Sequence, residues 1–159
     1  MPLVEIKELP TKIPPKSRLL GIDHGEKTLG LALSTPDLLM ATPYKTLQRK
    51  NFTENIKEIA AICREYEVGG IVFGLPLNMD GTEGSRAQSV RHYAMNLLKE
   101  KQSLGFDLYI AFQDERLSTH AVEQLLIEDL NMPRAKRKQV IDAYAAAHIL
   151  NDALKAMKP

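Results

Sequence analysis

Of the 159 residues, one is cysteine, none is tryptophan and 6% are aromatic. The lone Cys63 excludes an intramolecular disulfide and a cysteine-based metal site, and its place in an amphipathic pattern makes it a small core residue. Scarce aromatics leave no evident stacking platform for unpaired bases. No apolar run is long enough for a membrane helix, and an N-terminus with Glu5, Lys7 and Glu8 ahead of two proline clusters is no signal peptide. A cytoplasmic protein is expected. The formal net charge of +1 argues against a strongly polycationic nucleic-acid binder but leaves room for local basic patches. Internal repeats and low-complexity segments are also missing.

What is present suits one domain with a substantial core. Residues 1–17 carry Pro2, Pro10, Pro14 and Pro15 without a clear period and read as an extended or flexible arm, leaving 18–159 as a single domain. Arg18 to Asp23 and Thr28 to Ser34 are two strands joined by a turn with Gly25, and Tyr44 to Gln48 a short third. Asn51 caps a helix, with Glu54 three residues on, and Ile56, Ile59, Ala60 and Cys63 recur at helical spacing to about Tyr66. Gly69-Gly70 is expected to end that helix. The apolar run Ile71 to Leu75 predicts a strand covered on both faces.

Val90, Tyr93, Ala94, Leu97 and Leu98 stripe a second helix, broken at Gly105. Leu108 to Phe112 is another buried strand, leading into Gln113-Asp114-Glu115-Arg116. Ser118 caps a third helix, which Pro133 stops. A basic link, Arg134 to Lys138, precedes the last helix, which holds Asp142 and Ala145-Ala146-Ala147. The order β-β-β-α-β-α-β-α-α predicts an α/β fold: a mixed five-stranded sheet, an antiparallel meander plus two parallel strands, flanked by helices.

Three acids stand at suggestive places. Asp23 ends one strand, Glu115 follows another, and Asp142 lies early in a helix. Sites in such sheets form beyond the strand ends, and carboxylates brought together there stay ionised only around cations. Oxygen ligands without His or Cys point to Mg²⁺ or Mn²⁺, and a pair of such ions can activate water and stabilise the leaving oxygen of a phosphodiester. Ala145 and Ala146 would let the last helix approach the sheet and carry Asp142 in. Singly, each acid has a plainer alternative: a turn residue at Asp23, an ion pair at Glu115, a helix start at Asp142.

The loop from Gly74 to Arg86 could hold a phosphate through Asn78, Thr82 and Ser85, with Arg86 and Arg91 adding charge, although its glycines do not fit the phosphate-loop pattern. Lys136, Arg137 and Lys138 beside Asp142 could neutralise backbone phosphates. His24 reads as a turn residue. His92, His120 and His148 lack metal-ligand spacing.

The stretches GIDHGEKTLGLALS, GIVFGLPLNMDGTEG with Arg86 close behind, DERLST and IDAYAAAHIL together resemble the YqgF family, also described as RuvX or as Holliday junction resolvases. The resemblance covers residues 18–155. It implies a ribonuclease H-like fold and a metal-binding, catalytic set of Asp23, Glu115 and Asp142, choosing Glu115 over Asp114, which strand parity cannot do. Mg²⁺ or Mn²⁺ is the expected cofactor, and Asn78, Thr82, Arg86, Arg116, Lys136, Arg137 and Lys138 are the expected substrate contacts. The activity implied is metal-dependent endonuclease processing of the 5′ end of precursor 16S ribosomal RNA, on RNA alone or in ribosomal particles. A DNA junction resolvase and a non-catalytic RNA-binding assembly factor are the alternatives. Resolvases of the RuvC type carry two acids on the last helix, whereas here the position one turn past Asp142 is Ala145 or Ala146. Gly25 and Gly30 are expected to make room for a nucleic-acid backbone near the metal.

Overall fold

The computed structural model describes residues 3–100, 107–115 and 131–158, without the side chains of 135 and 137–139. The helix expected after Ser118 lies outside the described residues, as does Arg116. Five strands form one sheet: β1 (Arg18–His24), β2 (Thr28–Ser34), β3 (Ala41–Gln48), β4 (Val68–Leu75) and β5 (Tyr109–Asp114). Their spatial order is β3-β2-β1-β4-β5. The first three pair antiparallel as the expected meander, and β4 and β5 run parallel to β1.

Helices α2 (Phe52–Glu65) and α3 (Ser85–Lys99) cover one face, over Leu20, Ile22, Leu29, Leu31, Ile71 and Phe73. The long helix α4 (Arg134–Met157) covers the other, over Leu19, Ala32, Val72 and Ala111. Side chains alternate across a strand, so β1 sends Leu20 and Ile22 to the first face and Leu19, Gly21 and Asp23 to the second. The expected cap of α2 is present: Asn51 Oδ1 accepts from the Glu54 amide at 2.9 Å.

Three local expectations change. The arm is not extended: Ile6–Glu8 form a 3-10 turn and Leu9–Lys12 a short helix, α1. Its Leu9 is fully buried and Ile13 nearly so, both packed in the core under α4. Gly69-Gly70 does not terminate α2. The chain turns at Glu67, with φ of 55°, and both glycines lie in β4, where a Cβ would come within about 3 Å of Ile13, Ser17, Leu19 or Leu9. They are bare because the arm lies on them. The basic run is not a link either, since α4 begins at Arg134, straight after Pro133 in an extended conformation.

The third strand starts at Ala41, earlier than expected. Asn151 of α4 brackets that residue, accepting from its amide at 2.9 Å and donating to its carbonyl at 3.0 Å. Pro43 is tolerated because β3 is an edge strand with a register shift opposite Leu31/Ala32. No helix among the described residues is long and apolar enough to cross a membrane.

If Leu9 is core, Leu9→Ala should destabilise the protein by about 2–5 kcal/mol in denaturant titration. A loosely attached arm would give a change within about 0.5 kcal/mol.

Candidate active site

The site is built on a row that crosses the sheet. Asp23 pairs with Gly30 of β2, and one step beyond the Ile22–Phe73 pair Gly74 of β4 lies on its other side. Neighbours in such a row point to the same face, here the face under α4. A Cβ on Gly30 would collide with the carbonyl and Cβ of Asp142. A Cβ on Gly74 would stand 2.6 Å from Glu115 Oε2 and 2.5 Å from Ile149 Cδ1. Asp142 thus lies over the glycine on one side of Asp23, and Glu115 over the glycine on the other. The room at Gly30 is filled by α4, not left open for a nucleic-acid backbone.

Close approach of α4 sets this up. Its Ala146 carbonyl would be 3.0 Å from a Cβ on Gly21, and Ala146 is fully buried against the sheet. Ala145 is buried elsewhere, with Met132, Val140, Ile141 and Tyr144. Of the two alanines expected to admit the helix, Ala146 does so. Thr28, two residues before Gly30 on the same face, donates from Oγ1 to Asp142 Oδ2 at 2.5 Å and fixes that carboxylate. Glu115 is held by its backbone, its amide donating to the Leu75 carbonyl at 3.1 Å.

Asp23 is pushed up to about 6, first by burial and then by the charge of Asp142, with Arg86 opposing. A buried carboxylate whose ionisation is opposed by a second carboxylate beside it is what a divalent cation relieves. Their hard oxygens suit Mg²⁺ or Mn²⁺, so the pair fits such an ion. Glu115 shares the face, yet among the described residues no three His, Cys, Asp or Glu side chains are grouped closely enough to hold one metal.

Other expected contacts divide. Arg86 stands at the site: its Nη2 donates to the His24 carbonyl at 3.1 Å, and its charge reaches Asp23. Asn78 and Thr82 are engaged with their own loop, Asn78 Nδ2 donating to Thr82 Oγ1 at 2.9 Å and Thr82 Oγ1 to Asp80 at 2.6 Å. Arg91 forms a two-pronged ion pair with Glu83, at 2.7 and 2.9 Å, and lies on the Phe112 ring. Arg134 and Lys136 are exposed in the first turn of α4, and the side chains of Arg137 and Lys138 are outside the described residues.

His24 is the last residue of β1, 5% exposed, with its ring centroid 4.8 Å from that of Tyr93. Burial, then Arg49 and Arg86, lower its pKa to about 4, so the ring is neutral near pH 7. Thr28 and Arg49 escaped sequence reasoning. For Thr28 the available signal was its same-face spacing from Gly30; Arg49 had none beyond its charge.

A raised carboxyl pKa means that the folded state gains stability below about pH 4 and loses it as pH rises through 6. With chelator present, Asp23→Asn should therefore raise the melting temperature at pH 8, by up to about 3 kcal/mol of stability, with the gain vanishing towards pH 4. Thermal melts across that range check the sign.

The sequence profile of the RuvX family, described as Holliday junction resolvase, matches residues 17–156. A relative in Rhodospirillum centenum is 47% identical over 99% of this chain and 84% of its own, and one in Phenylobacterium zucineum 43% identical over 99% of both. Both bear the name "Putative pre-16S rRNA nuclease". Among solved structures, the fowlpox virus resolvase in complex with Holliday junction DNA is similar at a TM-score of 0.54 and 7% identity, covering 89% of this chain and 99% of that one. The yeast mitochondrial Holliday junction resolvase Ydc2 aligns at 0.50 and 12%, covering 96% and 84%. At such identities the likeness concerns the fold, which is ribonuclease H-like as expected. With a profile match over most of its length and full-length relatives above 40% identity, the chain belongs to the RuvX family.

Proposed function

We propose that the protein is a divalent-metal-dependent endonuclease that hydrolyses phosphodiester bonds at the 5′ end of precursor 16S ribosomal RNA in the cytoplasm. The observation that carries the reading is the placement of Asp142 over Gly30, directly beside Asp23. The names of the relatives supply the substrate. Asp23 and Asp142 would hold the cation, with Glu115 contributing from the far side of Asp23. A bound Mg²⁺ or Mn²⁺ would supply Lewis acidity for the attacking water and for the leaving oxygen.

The chain's own groups do the rest. Thr28 orients the Asp142 carboxylate through its 2.5 Å hydrogen bond. Arg86, tied to the end of β1 by the His24 carbonyl, places a positive charge that favours the ionised form of Asp23. Lys136, exposed on the first turn of the helix that carries Asp142, adds a further cation for backbone phosphates. Resolution of DNA junctions is the second reading, favoured by the family's description and the fowlpox likeness in fold.

The purified protein should cut an RNA spanning the precursor 5′ end only when Mg²⁺ or Mn²⁺ is added, and Asp23→Asn should bring cutting below detection. Thr28→Val should cost about 10- to 100-fold, the usual loss when a group that orients a metal ligand is removed. A four-way DNA junction cut while RNA stays intact would reverse the order of the two readings. Tight RNA binding without cation-dependent cleavage would replace both with a non-catalytic assembly factor.

A further inference from the structure

Beyond the acids, on the opposite side of β1, lies a cavity of about 210 Å³ lined by His24, Gly25, Glu26, Arg49, Ser85, Arg86 and Ser89. We infer that it is a subsite for a backbone phosphate of the nucleic-acid strand other than the one being cut, with Arg49 and Arg86 as its binding groups. The inference rests on the nuclease reading only for the identity of the strand.

Two arginines from separate elements meet here, and main-chain carbonyls hold both in place. Arg49 Nη1 donates to the Gly25 carbonyl at 2.9 Å and reaches that of Glu26 at 3.4 Å, with its guanidinium carbon 5.6 Å from the Tyr93 ring centroid. Arg86 is held by the His24 carbonyl at 3.1 Å. Carbonyls position a guanidinium without cancelling its charge. Among the described residues the pair's ion-pair partner is Glu26, 3.7 Å from Arg86 Nη1 and 81% exposed, a weak screened partner, while Arg86 also acts at longer range on Asp23.

The remaining lining also suits an anion. The cavity opens at the start of α3, whose cap residue Gly84 supplies no side-chain hydrogen bond, leaving the first-turn amides to whatever sits there. Ser85 and Ser89, one turn apart and exposed, add hydroxyl donors. In the wall, the nearly inaccessible His24 keeps its Nε2 without a hydrogen-bond partner. Asp23 and His24 are consecutive and face opposite ways, and Arg86 acts electrostatically on both. A phosphate in the cavity would therefore sit next to the acids without competing for their cation.

The test is RNA binding in chelator, which needs neither metal nor cleavage. Losing one phosphate contact on a single strand lowers the slope of log K against log salt by about 0.7, which is about 5-fold in affinity at 0.1 M salt. Arg49→Gln should show that loss and Arg49→Lys should recover part of it. Ser89→Asp, which places a negative charge on an exposed position of the cavity wall, should weaken binding at least as much with an unchanged melting temperature. Unchanged binding in Arg49→Gln and Ser89→Asp, or weaker binding with an unchanged salt slope, would overturn the inference. Inorganic phosphate should shift the Arg49 Nε–H resonance and RNA should displace it. Phosphate that RNA cannot displace would assign the cavity to a free anion and also overturn it. If Arg49-dependent binding holds while cation-dependent cleavage fails, the subsite stands and the nuclease reading falls.

Discussion

The contact between the backbone of Asp142 and the bare α-carbon of Gly30 is the constraint on which the site depends. Protein interiors are packed densely enough that one methyl group at this point has nowhere to go. Without it, α4 settles until its carbonyls touch the sheet, at Gly30 and again at Gly21. That depth brings Asp142 within reach of both Thr28 and Asp23. A helix resting on ordinary side chains would leave the same acid in solvent. Gly74 does the equivalent on the other side, clearing space for Glu115 and for Ile149 together.

Packing that close has an electrostatic cost. A carboxylate partly removed from water and facing another is a destabilising element in an otherwise apolar layer of Val72, Ala111, Ala146 and Leu150. Arg86 offsets part of it from outside the layer. Such local conflict, surrounded by a consistent core, is how functional sites commonly depart from the rules that the rest of a fold obeys. The arrangement is poised for a cation on one face of β1 and for an anion on the other.

Much of this was legible because the elements carry their own signals. Asn51 and Glu54 announced a helix start, and the meander followed from strands too close together for crossovers. The acids were legible as candidates, though not their convergence, which depends on register and on how deeply a helix sits. Other features misled for physical reasons. Gly69-Gly70 looks like a helix terminator, but Glu67 adopts the left-handed conformation in its place and the glycines serve the docked arm. The arm itself has helices too short to show a period. Asn78 and Thr82 hydrogen-bond within their own loop, as short polar side chains in tight loops do, and that pairing has no sequence signal. Arg49 stood in a polar stretch like any surface arginine, and only the fold brings it to Arg86.

The docked N-terminal segment carries one more consequence. Leu3 bridges Ile110, and the Val4 amide bonds the Ile110 carbonyl at 2.9 Å, so this segment pairs with the outermost parallel strand. That partner is made late in synthesis. Until β5 emerges, Leu9 and Ile13 have no finished sheet to close against, and such far-separated contacts are slow to form. A segment made before the sheet is therefore among the last to find its place, and by doing so it covers part of the edge along which two copies could otherwise zip together.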